Sequence, residues 1–314
     1  MTELSAPPKG GTRKSRGDRT FAGISLGAGI VILVVLAGVA AFLVIESIPA
    51  FTAPAEDIPG SQGLAGFLLP LIYGTLVSSV LAMIFAVPLA VSIALFISHY
   101  APRRLAQILG YLVDLLAAVP SVVFGLWGII WLAPRLVPLY RWLANHLGFI
   151  PLFSSASVTG RTMLTAGLVL AVMILPIITA ITREVFLQAP TLQEEAALAL
   201  GATRWEMIRM AVLPYGRPGI VSGSMLGLGR ALGETLAVAL VLSVNPSVIT
   251  ANLIGVTNSS TIAANIALLF PESFGLQVNA LILSGLLLFV VTFLVNLGAR
   301  AIVNRRKDFS GASA

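Results

Sequence analysis

The chain has no cysteine, and only 10% of its 314 residues are charged. Without cysteine there is neither a disulfide framework nor a thiolate metal site. The two histidines, His99 and His146, lie far apart in the sequence and offer no metal-binding cluster. A soluble domain carries about 25% charged residues. The low charge content therefore excludes an ordinary soluble protein.

The sequence also lacks the motifs of nucleotide hydrolysis and of the common hydrolases. There is no G-x-x-x-x-G-K-[ST] loop, and the three lysines are Lys9, Lys14 and Lys307. No Ser-His-Asp set, H-E-x-x-H motif or paired-carboxylate cluster is present. We therefore expect no catalytic residues, no metal and no cofactor bound by this chain. If it pumps a substrate, the energy must come from a partner.

Apolar residues are abundant instead, at 57% of the chain, and the mean hydropathy is +0.97. A transmembrane helix needs about 20 consecutive apolar residues. The sequence predicts an all-α integral membrane protein with six transmembrane helices, at residues 21–45, 67–98, 105–132, 162–181, 220–244 and 276–303.

The basic residues indicate the orientation of these six spans. Fifteen of the nineteen lie before the first span, after the second, after the fourth or at the end of the sixth. Cytoplasmic segments carry the excess of Lys and Arg, so both termini are expected in the cytoplasm. We divide the chain into a basic cytoplasmic tail (1–20), a transmembrane domain (21–304) and a C-terminal tail (305–314). The basic residues form no compact face, which argues against a nucleic-acid partner and leaves membrane lipid as the surroundings.

Two longer segments are expected on the external side. Residues 134–160 suit a helix lying at the membrane interface, although Arg135 and Arg141 could instead attract an anion. Residues 245–275 are rich in Asn, Ser and Thr and are compatible with either a re-entrant or an interfacial segment.

The fifth span contains an arginine and a glutamate four residues apart, Arg230 and Glu234. On one helix they would share a face and could pair. The pair could simply hold the bundle together, or Arg230 could line an anion pathway with Glu234 fixing its orientation. Gly227, Gly229 and Gly233 are expected on a closely packed helix surface.

The third span carries the other charge at depth, Asp114. It could pair with Arg230, meet a backbone dipole or sit in a hydrated cavity near the cytoplasmic face, with structural pairing the preferred role. Pro120 should bend this span, so that Ser121 and the carbonyls near Leu116 could face a pathway.

Between the fourth and fifth spans lies a polar segment, 183–214, which we call the coupling loop. Thr191 to Glu194 and Thr203 to Glu206 each fit the T-x-x-E capping box of a helix N-terminus. Gly201 lies between them, where a helix end can adopt a positive φ. The spacing predicts two short capped helices, an arrangement suited to pressing against a partner.

The coupling loop resembles the E-A-A loop of permease subunits in ABC importers. The match consists of Glu195-Ala196-Ala197, then Gly201, then Leu213-Pro214, with Ala211 where that family has isoleucine. Residues 195–214, together with Arg230 to Thr235, resemble the phosphate-specific branch of this family. Three further segments resemble the C-type permease of that branch more than its A-type partner: Gly74 to Leu76, Pro120 to Gly125 and Met173 to Pro176.

This resemblance implies the type I ABC importer fold in a bacterial cytoplasmic membrane. It implies a heterodimer with a second, homologous permease, two ATP-binding subunits that hold ATP and magnesium, and an external phosphate-binding protein. Trp205, Met207 and Ile208 would dock on the ATPase, while Glu195 and Gly201 set the geometry of the loop. Arg230, Glu234 and Thr235 would belong to the phosphate path, and Asp114 and Ser121 are further candidates for it.

Two other functions stay open at this point. The same machine could carry another oxyanion, such as sulfate or molybdate. A secondary anion transporter or channel would need no E-A-A loop and should carry ionisable residues in several spans, whereas only Asp114, Arg230 and Glu234 are found.

Overall fold

The computed structural model describes residues 16–60, 63–243 and 248–310, and every regular element within these ranges is helical. Residues 1–15 and 311–314, which include most of the predicted N-terminal tail and the end of the C-terminal tail, lie outside the described residues. The α-helices of the described chain are α1 (Arg16–Thr52), α2 (Gly63–Leu95), α3 (Arg103–Ala117), α4 (Ser121–Trp127), α5 (Ala133–Leu147), α6 (Met163–Leu187), α7 (Thr191–Ala199), α8 (Arg204–Met207), α9 (Leu213–Leu232), α10 (Leu236–Val241), α11 (Ile262–Leu269) and α12 (Leu276–Ser310).

Five helical stretches of the described chain are long and apolar enough to cross a membrane. They are Thr20–Thr52, Gly63–Tyr100, Ser121–Leu147, Met163–Leu187 and Leu276–Gly298. The prediction of an all-helical protein with several membrane spans is therefore confirmed. Four of the six predicted spans fall on continuous helices, and the third and fifth do not.

The predicted third span is interrupted at Pro120. Helix α3 ends at Ala117, and α4 begins after the proline, which has no N–H to donate and disfavours a helical residue before it. From Ser121 the helix runs without a break through a π-helical turn (Gly128–Leu132) into α5. The start of the predicted interfacial segment is thus the end of a long helix.

The predicted fifth span is also divided. Helix α9 ends at Leu232, and Gly233, Glu234 and Thr235 separate it from α10. Residues 244–247 lie outside the described residues. Of the three glycines expected on a packed surface, Gly227 does meet a neighbour, since an added Cβ would lie 2.8 Å from the Ile178 side chain. The expectation was wrong for Gly229, which faces open space, and for Gly233, whose only neighbour is the carbonyl of Gly229.

The helices pack in pairs around a core centred on α6. Helix α2 lies along one side of α6 and α9 along another, while α1 packs on α12. Small residues permit the close approach of α2: Ala82, Ala86 and Ala90 are fully buried against the α6 side chains Leu170 and Ile174. Close backbone approach through small residues is the usual way that membrane helices associate.

The segment before α11 is irregular yet buried, which favours the re-entrant interpretation of residues 245–275. Asn258 is fully buried, and its amide donates to the carbonyls of Arg161 (3.1 Å) and Ser243 (3.2 Å). Its Oδ1 accepts the N–H of Met163, at the start of α6 (3.0 Å). Non-helical backbone inside a membrane needs such protein partners, because lipid offers none.

Candidate functional site

The first short helix of the coupling loop is α7, which ends in a left-handed turn at Gly201. Gly201 has φ +87°, and its N–H donates to the Leu198 carbonyl (3.0 Å). The next N–H, that of Ala202, donates to the Ala197 carbonyl (3.2 Å). These two bonds form the Schellman motif of a helix C-terminus, which favours glycine at this position. The positive φ predicted for Gly201 is confirmed.

Helix α8 opens with the capping box predicted for Thr203 and Glu206. The Thr203 hydroxyl accepts the N–H of Glu206 (3.3 Å), and Oε2 of Glu206 accepts the N–H of Thr203 (2.8 Å). This backbone bond, together with a bond from the Thr203 hydroxyl, lowers the pKa of Glu206. The start of α8 is thus stabilised by hydrogen bonds between residues that are close in sequence.

The capping box predicted at Thr191 and Glu194 is wrong. The residue preceding α7 is Pro190, and no side chain caps this helix. The carboxylate of Glu194 instead lies 3.4 Å from the imidazole of His99, a residue 95 positions earlier in the chain. A tertiary contact has replaced the local one.

The exposed surface of the coupling loop differs from the predicted docking surface. Trp205 is 53% exposed, as docking requires, but Met207 is only 4% exposed and Ile208 is fully buried. The docking role predicted for Met207 and Ile208 is corrected accordingly, since both belong to an apolar cluster with Phe186 of α6.

Ala211, at the position where the resembled family has isoleucine, is also buried and presents no docking surface. Glu195, Ala196 and Pro214 are exposed, whereas Ala197 and Leu213 are half-buried. The largest apolar surfaces on the loop, besides Trp205, come from Leu192 (76% exposed) and Leu200 (90% exposed), which the sequence reasoning had not singled out.

Arg230 lies in the last turn of α9 and lines a cavity of about 560 Å³ between α6, α9 and α12. Its side chain is half-buried, and no hydrogen bond or ion pair joins its guanidinium to any part of the chain that the structure describes. The other polar side chains of the cavity are Ser222 and Asn296. A guanidinium with five unoccupied donors matches the oxygens of a phosphate or sulfate ion.

Glu234 does not pair with Arg230, which corrects the expected arrangement. Because α9 ends at Leu232, the two residues do not share a helix face. Glu234 is 8% exposed, and its Oε1 accepts the N–H of Ala237 in the first turn of α10 (3.1 Å). A carboxylate there satisfies an otherwise unpaired donor at the helix start. Thr235, beside it, donates its hydroxyl to the Gly233 carbonyl (3.2 Å).

Asp114 lies on α3 and faces Arg183 rather than Arg230. Oδ2 of Asp114 is 3.9 Å from Nη2 of Arg183, and both line a cavity of about 510 Å³ between the end of α2, α3 and α6. The guanidinium of Arg183 lies over Gly110, where any Cβ would collide with it. The pair is long, and Asp114 is 55% exposed, so its contribution to stability is small.

Ser121 begins α4 and is half-buried, outside the cavity of Arg230. The carbonyl of Leu116, which was expected to be free, accepts the N–H of Val119 (3.3 Å). The carbonyl that Pro120 cannot bond is therefore hydrogen-bonded within the same turn. The structure does not bring Ser121, Asp114 and Arg230 into one site.

Arg135 and Arg141, the external arginines that could have attracted an anion, lie on α5. Arg135 donates to the Trp131 carbonyl (3.1 Å) and stacks over the Trp131 ring. Arg141 is exposed. These contacts argue against an anion site and suit anchoring at a membrane boundary, where tryptophan and arginine are typical. The helix that carries them is the end of the long helix from Ser121, and not the separate interfacial helix expected for residues 134–160.

The comparisons with known proteins cover most of the chain. The sequence model of the family described as "Binding-protein-dependent transport system inner membrane component" matches residues 86–308. A protein of Mycobacterium bovis named phosphate transport system permease protein PstC 2 is 49% identical over 300 residues, which cover 91% of this chain and 92% of that protein. The Mesorhizobium japonicum protein named phosphate transport system permease protein PstC is 39% identical over 307 residues, which cover 94% of this chain and 92% of that protein.

Solved structures support the fold. A chain of a bacterial alginate ABC transporter, solved with its alginate-bound periplasmic protein, superposes with a TM-score of 0.61 at 18% identity. The match covers 92% of this chain and 96% of that one. A chain of the MetNI methionine ABC transporter in an inward-facing conformation superposes with a TM-score of 0.52 at 17% identity, covering 77% of this chain and 95% of that one.

Proposed function

The chain belongs to the family of binding-protein-dependent transport system inner membrane components, and on that premise we propose that it is the permease subunit of an ATP-driven phosphate importer. It is a transport subunit and not an enzyme. Relatives that are 39–49% identical over most of the chain carry the name of phosphate transport permeases, so sulfate and molybdate are not favoured as substrates.

The observation that carries this proposal within the molecule is the unpaired guanidinium of Arg230. An ionised side chain in a membrane helix costs about 2.5–3.5 kcal/mol on insertion scales and normally finds a protein partner. Arg230 finds none in the described chain and faces a cavity of about 560 Å³ with Ser222 and Asn296. A transient anion is the partner that this arrangement fits. Glu234 accepts a backbone N–H at the start of α10 and so helps to fix the chain that follows Arg230.

The coupling loop supplies the connection to an energy source. Its exposed apolar side chains Leu192, Leu200 and Trp205 offer area for docking on an ATP-binding subunit, and Gly201 sets the angle between α7 and α8. ATP and magnesium belong to that partner. The chain itself carries no phosphate-binding loop, and no group of three or more metal-ligating side chains occurs among the described residues.

For the assembly, we propose the arrangement of a type I ABC importer in a bacterial cytoplasmic membrane. Helices α9 and α10 together make the fifth of six crossings, so that both termini and the coupling loop lie on the cytoplasmic side. Two ATP-binding subunits, a second homologous permease and an external phosphate-binding protein complete the complex. The positive-inside distribution of basic residues supports this orientation.

A secondary transporter that works without an ATPase is the remaining alternative. Such proteins place their coupling-ion and substrate sites near the middle of the membrane, typically at discontinuous helices. The break between α9 and α10 fits that description, but the elaborated coupling loop has no use in such a protein. Secondary transport is therefore not favoured.

The test is uptake of radiolabelled phosphate into proteoliposomes that hold this chain with the companion permease, the ATPase and the binding protein. Each component is omitted in turn, and sulfate is added as a competitor. Uptake that requires ATP and every component, and that ignores sulfate, is expected. Uptake by this chain alone would replace the proposal with secondary transport, and inhibition by sulfate would change the substrate.

A further inference from the structure

A polar cluster at the cytoplasmic end of α2 joins this helix to both halves of the coupling loop. The end of α2 is a π-helical turn (Phe96–Tyr100) that carries His99. Glu194 of α7 and Arg204 of α8 both reach this turn, around a cavity of about 520 Å³. None of these three residues takes part in the cavity around Arg230.

The contact between His99 and Glu194 is well enclosed. The His99 side chain is 9% exposed and that of Glu194 is 21% exposed, with 3.4 Å between Nε2 and Oε1. The other ring nitrogen, Nδ1, lies 2.7 Å from the hydroxyl of Ser98. A histidine held at both nitrogens has a fixed ring orientation.

The direction of these hydrogen bonds follows from the available protons. Ionised Glu194 can only accept, so Nε2 must carry a hydrogen and donate it. In the neutral ring Nδ1 then accepts from Ser98. In the protonated ring Nδ1 donates to Ser98, whose hydroxyl donates to the Ala94 carbonyl at 2.8 Å. The bond to Glu194 is therefore kept in both charge states of His99.

Arg204 provides a second connection to the same turn. Its guanidinium donates to the backbone carbonyl of His99 and lies over the ring of Tyr100, 5.1 Å from the ring centre. The carbonyls at a helix C-terminus lack partners within the helix, and a cation is favoured there. Glu194 and Arg204 are the charged side chains lining this cavity with His99, and they have opposite charges.

Beneath the polar cluster, α2 and the loop share an apolar contact. Ala94 and Leu95 of α2 pack with Met207, the last residue of α8, and with Ile208 and Val212, which follow it. This explains why Met207 and Ile208 are buried instead of exposed for docking. The coupling loop is thus fastened to α2 as well as to the helices it connects.

We propose that His99 is a positioning residue for energy coupling: together with Glu194 it ties α7 to the end of α2. The proposal rests on the function proposed above. When the ATP-binding subunits move the loop, the tie carries that movement into α2, which packs along α6 in the core of the bundle. Without the tie, α7 could move while α2 stays behind, and ATP would be hydrolysed without transport.

The experiment uses the full complex in proteoliposomes and measures both phosphate uptake and ATP hydrolysis. In His99→Leu and in Glu194→Ala, uptake per ATP should fall about fivefold, which corresponds to the roughly 1 kcal/mol of one hydrogen bond. The double variant should show the same fall, because each single change removes the same contact. His99→Gln, which keeps a side-chain N–H donor, should restore the ratio to within about twofold of the unchanged protein. His146→Leu is the matched control, since this exposed histidine bonds only within its own helix.

Several results would overturn the inference. These are an unchanged uptake-per-ATP ratio in Glu194→Ala, a double variant whose losses multiply, or a loss in His99→Gln as large as in His99→Leu. A merely structural role would lower the yield of assembled complex and leave the ratio intact. If His99→Leu fails to assemble, the partly exposed Glu194→Ala decides. If the unchanged complex shows no ATP-dependent uptake, the proposed function fails and the inference fails with it.

Discussion

Replacing Gly201 tests the backbone conformation of the coupling loop without disturbing a side-chain contact within the described chain. Gly201 has φ +87°, and an added Cβ would meet nothing within 4 Å. Within the described chain, a side chain at this position would therefore be disfavoured by backbone strain and not by a steric clash. For a residue other than glycine, the left-handed conformation costs about 1–2 kcal/mol, and asparagine tolerates it better than most.

This cost can be turned into an expected loss of coupling. A penalty of about 1–2 kcal/mol lowers the population of the observed turn about 5- to 30-fold relative to other loop conformations. Gly201→Val should therefore uncouple ATP hydrolysis from uptake, while the protein still inserts in the membrane. Gly201→Asn has a side chain of similar size and should lose much less, because asparagine accepts the positive φ.

The assay compares uptake per ATP for the three proteins, reconstituted with all partners, and checks membrane insertion by the yield of purified complex. Equal losses in Gly201→Asn and Gly201→Val would refute the argument from φ and would assign the effect to a collision with the docked ATPase. Normal coupling in Gly201→Val would remove the proposed role of the loop turn altogether.

Three further predictions concern other parts of the chain. Arg230→Ala should abolish phosphate uptake while the complex still assembles; loss of assembly, seen by co-purification of the partners, would instead make Arg230 structural. Asn258→Ala should lower the thermal stability of the detergent-solubilised protein, since each buried group left without a partner costs about 1–3 kcal/mol, and the exposed Asn145→Ala should not. The bonds from Thr203 lower the pKa of Glu206, so the stability they give α8 is present above the pKa of an unfolded glutamate and is lost as the pH falls through the lower folded value. Amide hydrogen exchange in α8, corrected for its intrinsic pH dependence, should therefore rise at acidic pH, and an exchange rate independent of pH would contradict this.

Much of the coupling loop could be predicted from the sequence because its determinants are local. The capping box at Thr203 and the positive φ at Gly201 each depend on a few neighbouring residues, and both are confirmed. Which apolar side chains face outward could not be read in the same way. Met207 and Ile208 are buried because α2 and α6 happen to lie beside them, and the loop sequence carries no signal for that.

The pairing of charges inside the membrane could not be predicted from the sequence either. The spacing of Arg230 and Glu234 suits an ion pair only if the helix continues, and it ends at Leu232. Gly233, which was expected at a packed helix surface, directly follows the last residue of α9. Likewise, the partner of Asp114 is Arg183, and no local pattern connects these two positions.

By itself the sequence determined that the chain is an all-helical membrane protein with a structured coupling loop, because hydropathy, charge bias and helix capping act over short distances. The tertiary structure decided what each polar side chain meets. The T-x-x-E pattern occurs twice in the loop and forms a capping box only once. Among the described residues, Glu206 bonds only to Thr203, whereas Glu194 lies within reach of His99, 95 residues away in sequence. A carboxylate with two partners in reach takes the one that the fold supplies, and only the fold shows which that is.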